Sequence, residues 1–264
     1  MKFNIEDYLN SLPLNTRIID VSGRGLIYLP DLSNFINLKK LYCAYNNLTK
    51  LPPLNENLEI LSCSHNFLKC LPPLNQKLKT LDCSFNNLYE LPFLNESLKI
   101  LNCSYNCLCD LPSLNNNLKQ LYCQYNKINE LPELNINLRQ LNCAHNKLTK
   151  LPNLNIKLEE LTCIENNIKW LPPINNYLYY IYFDIEIYNY NIYNNNPYSQ
   201  CFVIKILKKF RYTYYAVKFK QQFKRWLWEK VREPKIMKKF HPDYLNELKE
   251  TDDLEVFLNE WVNK

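Results

Sequence analysis

The chain has 264 residues, of which 47% are apolar, enough for a sizeable core. Only two are glycine, Gly23 and Gly25, which excludes phosphate-cradling loops and dinucleotide fingerprints. Its formal charge of +6 is unevenly placed: residues 1–200 balance 17 basic against 17 acidic side chains, residues 201–239 carry 13 against 2, and residues 240–264 carry 2 against 7. No run of eighteen apolar residues occurs, and Met1 to Asn10 holds Glu6 and Asp7 where a leader needs an apolar block, so neither a membrane span nor a secretory signal is expected.

Residues 1–37 read as an N-terminal cap and a degenerate first repeat, marked by Ile19-x-Val21, Arg24, Leu26 and Leu29-Pro30. Seven regular repeats follow over residues 38–177. Leu41, Leu61, Leu81, Leu101, Leu121, Leu141 and Leu161 stand at a period of twenty, each followed two residues later by a cysteine, Cys43 to Cys163. An asparagine comes three residues further, at Asn46, Asn66, Asn86, Asn106, Asn126, Asn146 and Asn166, and then a Leu-Pro pair. The unit is LxxLxCxxNxLxxLPxLNxx. Residues 178–200 contain a degenerate last strand, Ile181-x-Phe183, and an aromatic-rich closing stretch from Tyr177 to Tyr198.

The Leu-x-Cys portion predicts a short strand with one set of side chains inward. One such turn cannot bury its apolar side, but stacked turns share a continuous core, here expected from the columns Leu38 to Leu178, Leu41 to Leu161 and Leu54 to Ile174. The fold class is therefore an α/β-type repeat solenoid with a parallel sheet on its concave side. Pro52 and its equivalents, with second prolines at Pro53, Pro73 and Pro173, disfavour a helix on the back and predict an extended, polyproline-like convex side. A buried amide both donates and accepts, so the Asn46-to-Asn166 column is expected to satisfy backbone groups of neighbouring turns. Asn55 to Asn175 form a second column, expected to cap the turn before the next strand.

This unit resembles the leucine-rich-repeat family over about 160 residues. The short period and LPxL segment look like the repeats of secreted bacterial effectors, which usually have a second proline where this chain has Asn55 and Asn75. Some such effectors carry a cysteine-nucleophile ubiquitin ligase behind the repeats; with only Cys201 beyond residue 163, that activity is not transferred. The cysteine-bearing unit and the tail string WLWEKVREPKIMKKFHPDYL resemble repeat proteins of large DNA viruses that infect amoebae, implying a viral protein in the host cytoplasm.

No catalytic constellation emerges, and neither a cofactor nor a metal is expected. The cysteine column reads as small buried thiols; Cys103, Cys107 and Cys109 lack a convincing fourth ligand for zinc. His65 and His145 share a repeat position four turns apart, roughly 19 Å at strand spacing, too far to act as a pair. Residues 40, 42 and 44 and their equivalents are expected on the solvent face of the sheet. Along its edge runs Tyr45, His65, Phe85, Tyr105, Tyr125, His145 and Glu165. With Tyr42, Asp82 and Tyr122, these rings are candidate protein-binding residues. They suit recognition by area and polar handle, and equally suit stacking that stiffens the edge.

Residues 201–264 predict a basic amphipathic helix, with Phe202, Ile206, Phe210, Tyr214 and Val217 on one stripe, and an acidic helix from about Asp243 to Val262. The two are expected to dock by opposite charge. Alternatively the basic helix, with Lys208, Lys209, Arg211, Lys218, Lys220, Lys224 and Arg225, contacts an acidic protein, a nucleic acid or an anionic membrane. The expected function is a protein-binding scaffold acting inside a cell, with nucleic-acid association through the tail as the alternative.

Overall fold

In every repeat one leucine, or isoleucine in the two terminal turns, alternates with two outward neighbours, and this pattern forms a three-residue strand. The computed structural model describes residues 3–169, 171–172 and 177–183. Among these the strands are β1 (Ile18–Asp20), β2 (Lys40–Tyr42), β3 (Ile60–Ser62), β4 (Thr80–Asp82), β5 (Ile100–Asn102), β6 (Gln120–Tyr122), β7 (Gln140–Asn142), β8 (Glu160–Thr162) and β9 (Tyr180–Tyr182). All pair in parallel in chain order. From β2 onward each residue faces the one twenty positions later, as in Leu41 opposite Leu61; between β1 and β2 the step is Ile19 to Leu41, which absorbs two extra residues. The ladder continues beyond the strands, with Cys43 N–H donating to Ser62 O at 2.8 Å and Tyr45 N–H to Ser64 O at 3.0 Å. The chain separates into units Met1–Lys205 and Ile206–Lys264, and the two tail helices expected from sequence lie outside the described residues.

The core is one continuous cluster. The columns beginning at Leu38, Leu41 and Cys43 are buried throughout the regular repeats, and so is the column Leu48, Leu68, Leu88, Leu108, Ile128 and Leu148. Each fully buried leucine contributes about 1.5–3 kcal/mol relative to exposure. The expected Leu54 column is a correction: Leu74 is buried, but Leu54, Leu94, Leu114, Leu134 and Leu154 are only half-buried against the core. The cause is the thinness of the back. Residues 51–55 form a single extended layer without helix or strand, so one side of each residue faces solvent. Ile174 lies outside the described residues.

The N-terminal cap contains a short helix that the sequence reading did not identify, α1 (Ile5–Asn10). Asn4 caps it by accepting the Glu6 amide at 3.0 Å, and Glu6 and Asp7 sit in its first turn, where negative charge is favoured. Ile5 and Leu9 are buried and close the first turn of the core. At the other end Ile181 is buried and Phe183 packs against the core.

After each strand the chain bends inward, and one amide per turn satisfies the exposed backbone. Asn106 Nδ2 donates to Cys83 O at 3.0 Å, Cys103 O at 3.1 Å and Ser104 O at 3.2 Å, while its Oδ1 accepts the Leu88 amide at 3.0 Å. The same set recurs from Asn66 to Asn166, each amide joining its own turn to the preceding one. Asn46 does likewise for the degenerate first turn, reaching Val21 O at 2.9 Å and accepting from Leu26 N–H at 2.9 Å. Part of the second column bonds between turns too: Asn155 Nδ2 donates to Asn135 O at 2.9 Å and Leu138 O at 3.0 Å, as Asn55, Asn95 and Asn135 do to their preceding turns, whereas Asn75 and Asn115 accept the amides of Lys77 and Asn117 within their own turns. Asn106→Ala is expected to lower stability by about 1–3 kcal/mol, because several buried backbone groups lose their partner. Asn116, whose side chain is exposed, should lose under about 0.5 kcal/mol as alanine. Paired denaturant titrations check this difference.

The cysteine column from Cys43 to Cys163 lies inside the sheet, and no disulfide joins its members. Burial pushes the Cys43 and Cys103 thiols up to about 12 and those of Cys63, Cys83, Cys123 and Cys143 well above their ordinary value. In the unfolded chain these thiols ionise near 9.0. Between that pH and the folded value the native state therefore holds more protons than the unfolded one, and stability falls as pH rises. The contribution is complete below about pH 9 and is lost towards pH 12. Cys103→Ala should flatten this alkaline loss, measured as the pH dependence of urea midpoints from pH 8 to about 10.5.

Candidate functional site

The sheet places columns of side chains in register one strand spacing apart. The most continuous of them runs along its C-terminal edge. Tyr45, His65, Phe85, Tyr105, Tyr125 and His145 form an unbroken stack, with successive ring centroids 4.2, 4.1, 4.0, 4.2 and 4.0 Å apart and interplanar angles of 10–15°. All six residues have left-handed backbone, φ between 50 and 56°, as does Glu165 at 53°. A side chain in this region costs about 1–2 kcal/mol per residue, and a stacked ring pair returns about 0.5–1.5 kcal/mol. Gly23 donates to Ala44 O as Tyr45 does to Ser64 O, and holds the same conformation at φ 65°. The stack therefore begins at Tyr45, 63% exposed, and ends at His145 beside the Glu165 position. The rings stack and also remain accessible: Phe85, Tyr105 and Tyr125 are exposed, and His65 and His145 are half-buried.

Inside that edge, the residue 42 column is half-buried, with Tyr42, Asp82 and Tyr122 among it. Asp82 Oδ1 accepts from the Ser84 amide at 3.1 Å and hydroxyl at 2.7 Å, so this carboxylate is engaged in its own turn. Tyr122 donates to Gln140 Oε1 at 2.7 Å, as does Gln120 Nε2. Burial, and secondly the charge of Glu160, raises the Tyr122 hydroxyl above its ordinary value. The residue 44 column requires a correction. Ala44, Ser64, Ser84, Ser104 and Ala144 are buried, not solvent-facing. The strand ends at residue 42 and the chain turns at residue 45, so simple alternation does not extend to 44.

One column was missed from sequence. Lys39, Glu59, Lys79, Lys99, Lys119, Arg139 and Glu159 lie immediately before the strands. Glu59 pairs with Lys39 at 2.9 Å and Lys79 at 2.6 Å, and Glu159 pairs with Arg139 at 3.1 Å. The lysine hydrogen bonds hold the Glu59 carboxyl well below its usual range, at about 2. At its last described member this column reaches the solvent face of the sheet, where Tyr179 donates to Glu160 Oε1 at 2.9 Å. The available signal was the charged residue following Leu38 and six of its equivalents.

Among the described residues no group of three or more His, Cys, Asp or Glu side chains is placed to hold a metal ion. Cys103 is buried, Cys107 half-buried and Cys109 exposed, and His65 and His145 stand apart in the ring stack with three rings between them. Among the described residues no helix is long and apolar enough to cross a membrane. The candidate anion-binding residues Lys208, Lys209, Arg211, Lys218, Lys220, Lys224 and Arg225 lie outside the described residues.

Residues 36–76 match the family described as leucine rich repeats, two copies. No curated protein matches the chain. Among solved structures it is similar to YopM, a leucine-rich effector protein from Yersinia pestis, at 33% identity and TM-score 0.63, covering 68% of this chain and 51% of that one. YopM from Yersinia enterocolitica gives 29% identity and TM-score 0.56 over 66% of this chain and 43% of that one, so this chain spans about half the length of either. A Shigella effector leucine-rich-repeat domain is 30% identical with TM-score 0.55, over 62% of this chain and 74% of that domain. The expected likeness to repeat proteins of large DNA viruses is thereby corrected, since these relatives are bacterial effectors. The repeat columns answer to solenoid packing and carry no mark of source, and the tail string behind that expectation lies outside the described residues. Shared fold and 30% identity over 74% of the Shigella domain place the chain in the leucine-rich-repeat family.

Proposed function

We propose that the chain is a protein-interaction scaffold that engages another polypeptide on the solvent face of its sheet, with the stacked ring row as anchor. The observation that carries this reading is the stack itself. Six rings held in register, several of them exposed, offer broad apolar area whose side-chain entropy is already largely lost. Tyr42 and Tyr122 extend this surface across the sheet, whereas Asp82 is committed to Ser84 and serves chiefly to shape it. The solenoid architecture is consistent with a generic protein-binding scaffold. Nucleic-acid association rests on residues 205–239, and no observation among the described residues favours it.

Tyr105→Ala/Tyr125→Ala removes the middle of the row. In quantitative pull-downs from cell extract, the double variant is expected to lose specific partners by about tenfold or more, since central aromatic anchors dominate such interfaces. Circular dichroism and a urea midpoint establish that the variant remains folded. Retention of every partner at wild-type level by the folded variant overturns the assignment of this row.

A further inference from the structure

The charged column beside the sheet carries an asymmetry that identifies a class of partner. Lys79, Lys99, Lys119 and Arg139 follow one another in consecutive repeats, about 4.8 Å apart at strand spacing. Glu59 takes Lys79 and Glu159 takes Arg139, closing the run at both ends. Among the described residues no carboxylate pairs with Lys99 or Lys119, and both side chains are exposed. Ile100 and Gln120 follow them on the sheet face, and the same two repeats present Tyr105 and Tyr125 at the opposite edge. One pair of repeats thus combines two uncompensated cations with the middle of the ring row.

We propose that this face accepts an amphipathic acidic helix of a partner protein, with its carboxylates on Lys99 and Lys119 and its apolar stripe on Phe85, Tyr105 and Tyr125. The proposal rests on the protein-binding reading above and names the chemistry of the partner. Dimensions favour a helix. Six residues separate Lys99 from Tyr105, a span of at most about 22 Å. A helix of about 10–12 Å diameter fits within that limit, and the long lysine side chains supply the reach from their row to a helix seated on the rings, whereas a single extended strand follows only one row. Its turn of about 5.4 Å also lies close to the lysine spacing, so carboxylates at i and i+4 meet successive lysines. The short extent of free positive charge, together with Glu59, Asp82, Glu159 and Glu160 on the same face, disfavours a continuing phosphate backbone, which meets repulsion on either side of the two lysines.

The test pans a displayed library of helix-biased twenty-residue peptides against the full chain. Individual selected peptides are then titrated against wild type, Lys99→Glu/Lys119→Glu and Tyr105→Ala/Tyr125→Ala. Selected peptides are expected to carry paired Asp or Glu beside an apolar stripe. Their affinity should fall at least about tenfold in the lysine double variant and weaken between about 50 and 300 mM salt. Replacing the peptide carboxylates by lysine should restore binding to that variant. Selection of neutral or basic peptides, no selection at all, or indifference to Lys99→Glu/Lys119→Glu overturns the acidic-helix proposal. So does single-stranded RNA that binds the full chain at 150 mM salt, about physiological ionic strength, and is lost in the same variant. A peptide that is lost only in the tyrosine variant removes the acidic class while keeping the protein-binding face; one that ignores both variants removes both.

Discussion

Every turn of this chain must end a parallel strand and carry its backbone back across the core without leaving buried carbonyls and amides unpaired. A single side-chain amide per repeat meets that requirement. Asn106 reaches carbonyls in its own turn and in the preceding one, and its oxygen receives Leu88 N–H across the interior. Because the bonds join neighbouring repeats, each turn is completed by the next. Neither acid nor alcohol supplies both multiple donors and an acceptor at that length. The leucine columns drive burial, but it is the asparagine that lets so tight a turn bury its corner.

The ring row follows from the same corner. The residue preceding each ladder asparagine adopts left-handed backbone, and its side chain is thereby projected along the sheet's edge. In most proteins that conformation selects glycine; here Tyr, His and Phe occupy it in succession and stack at van der Waals distance. A locally unfavourable backbone state is thus coupled to a cooperative contact between repeats, and the outcome is a rigid aromatic rail on an accessible rim.

Much of this was legible because the solenoid repeats its chemistry. Leu41, Cys43 and Asn46 recur with their spacing intact, so inward direction and stacking followed from position alone. Legibility failed where the chain leaves regular structure. Residue 44 has the parity of the solvent face, yet the strand has already ended and Ser84 and Ser104 are buried. Lys39 and its equivalents have the parity of the inward leucines, yet precede the strand and stay exposed, or half-buried at Glu59 and Glu159. The Leu48 column was visible in the motif but was not assigned to the core, because residues crossing to the back have no periodic rule. The left-handed corner left one clue, Gly23 in register with Tyr45, and a single glycine in a degenerate repeat is a weak signal.

The unvarying twenty-residue offset gives this architecture a quantised length. Pairing, amide bridges and ring contacts all connect a residue to its counterpart one unit away, so none specifies how many units there are. Excision of residues 101–120 joins Ile100 directly to Leu121 in the register that Leu101 held, and the rail closes up by one ring. Duplication lengthens it by the same increment. Gain or loss of whole units therefore rescales the recognition surface while leaving the repeat register unchanged, and any insertion that is not a multiple of the unit has to be expelled as a loop. For such a molecule, gene-level slippage in steps of sixty nucleotides is a route to altered reach that point substitution does not offer.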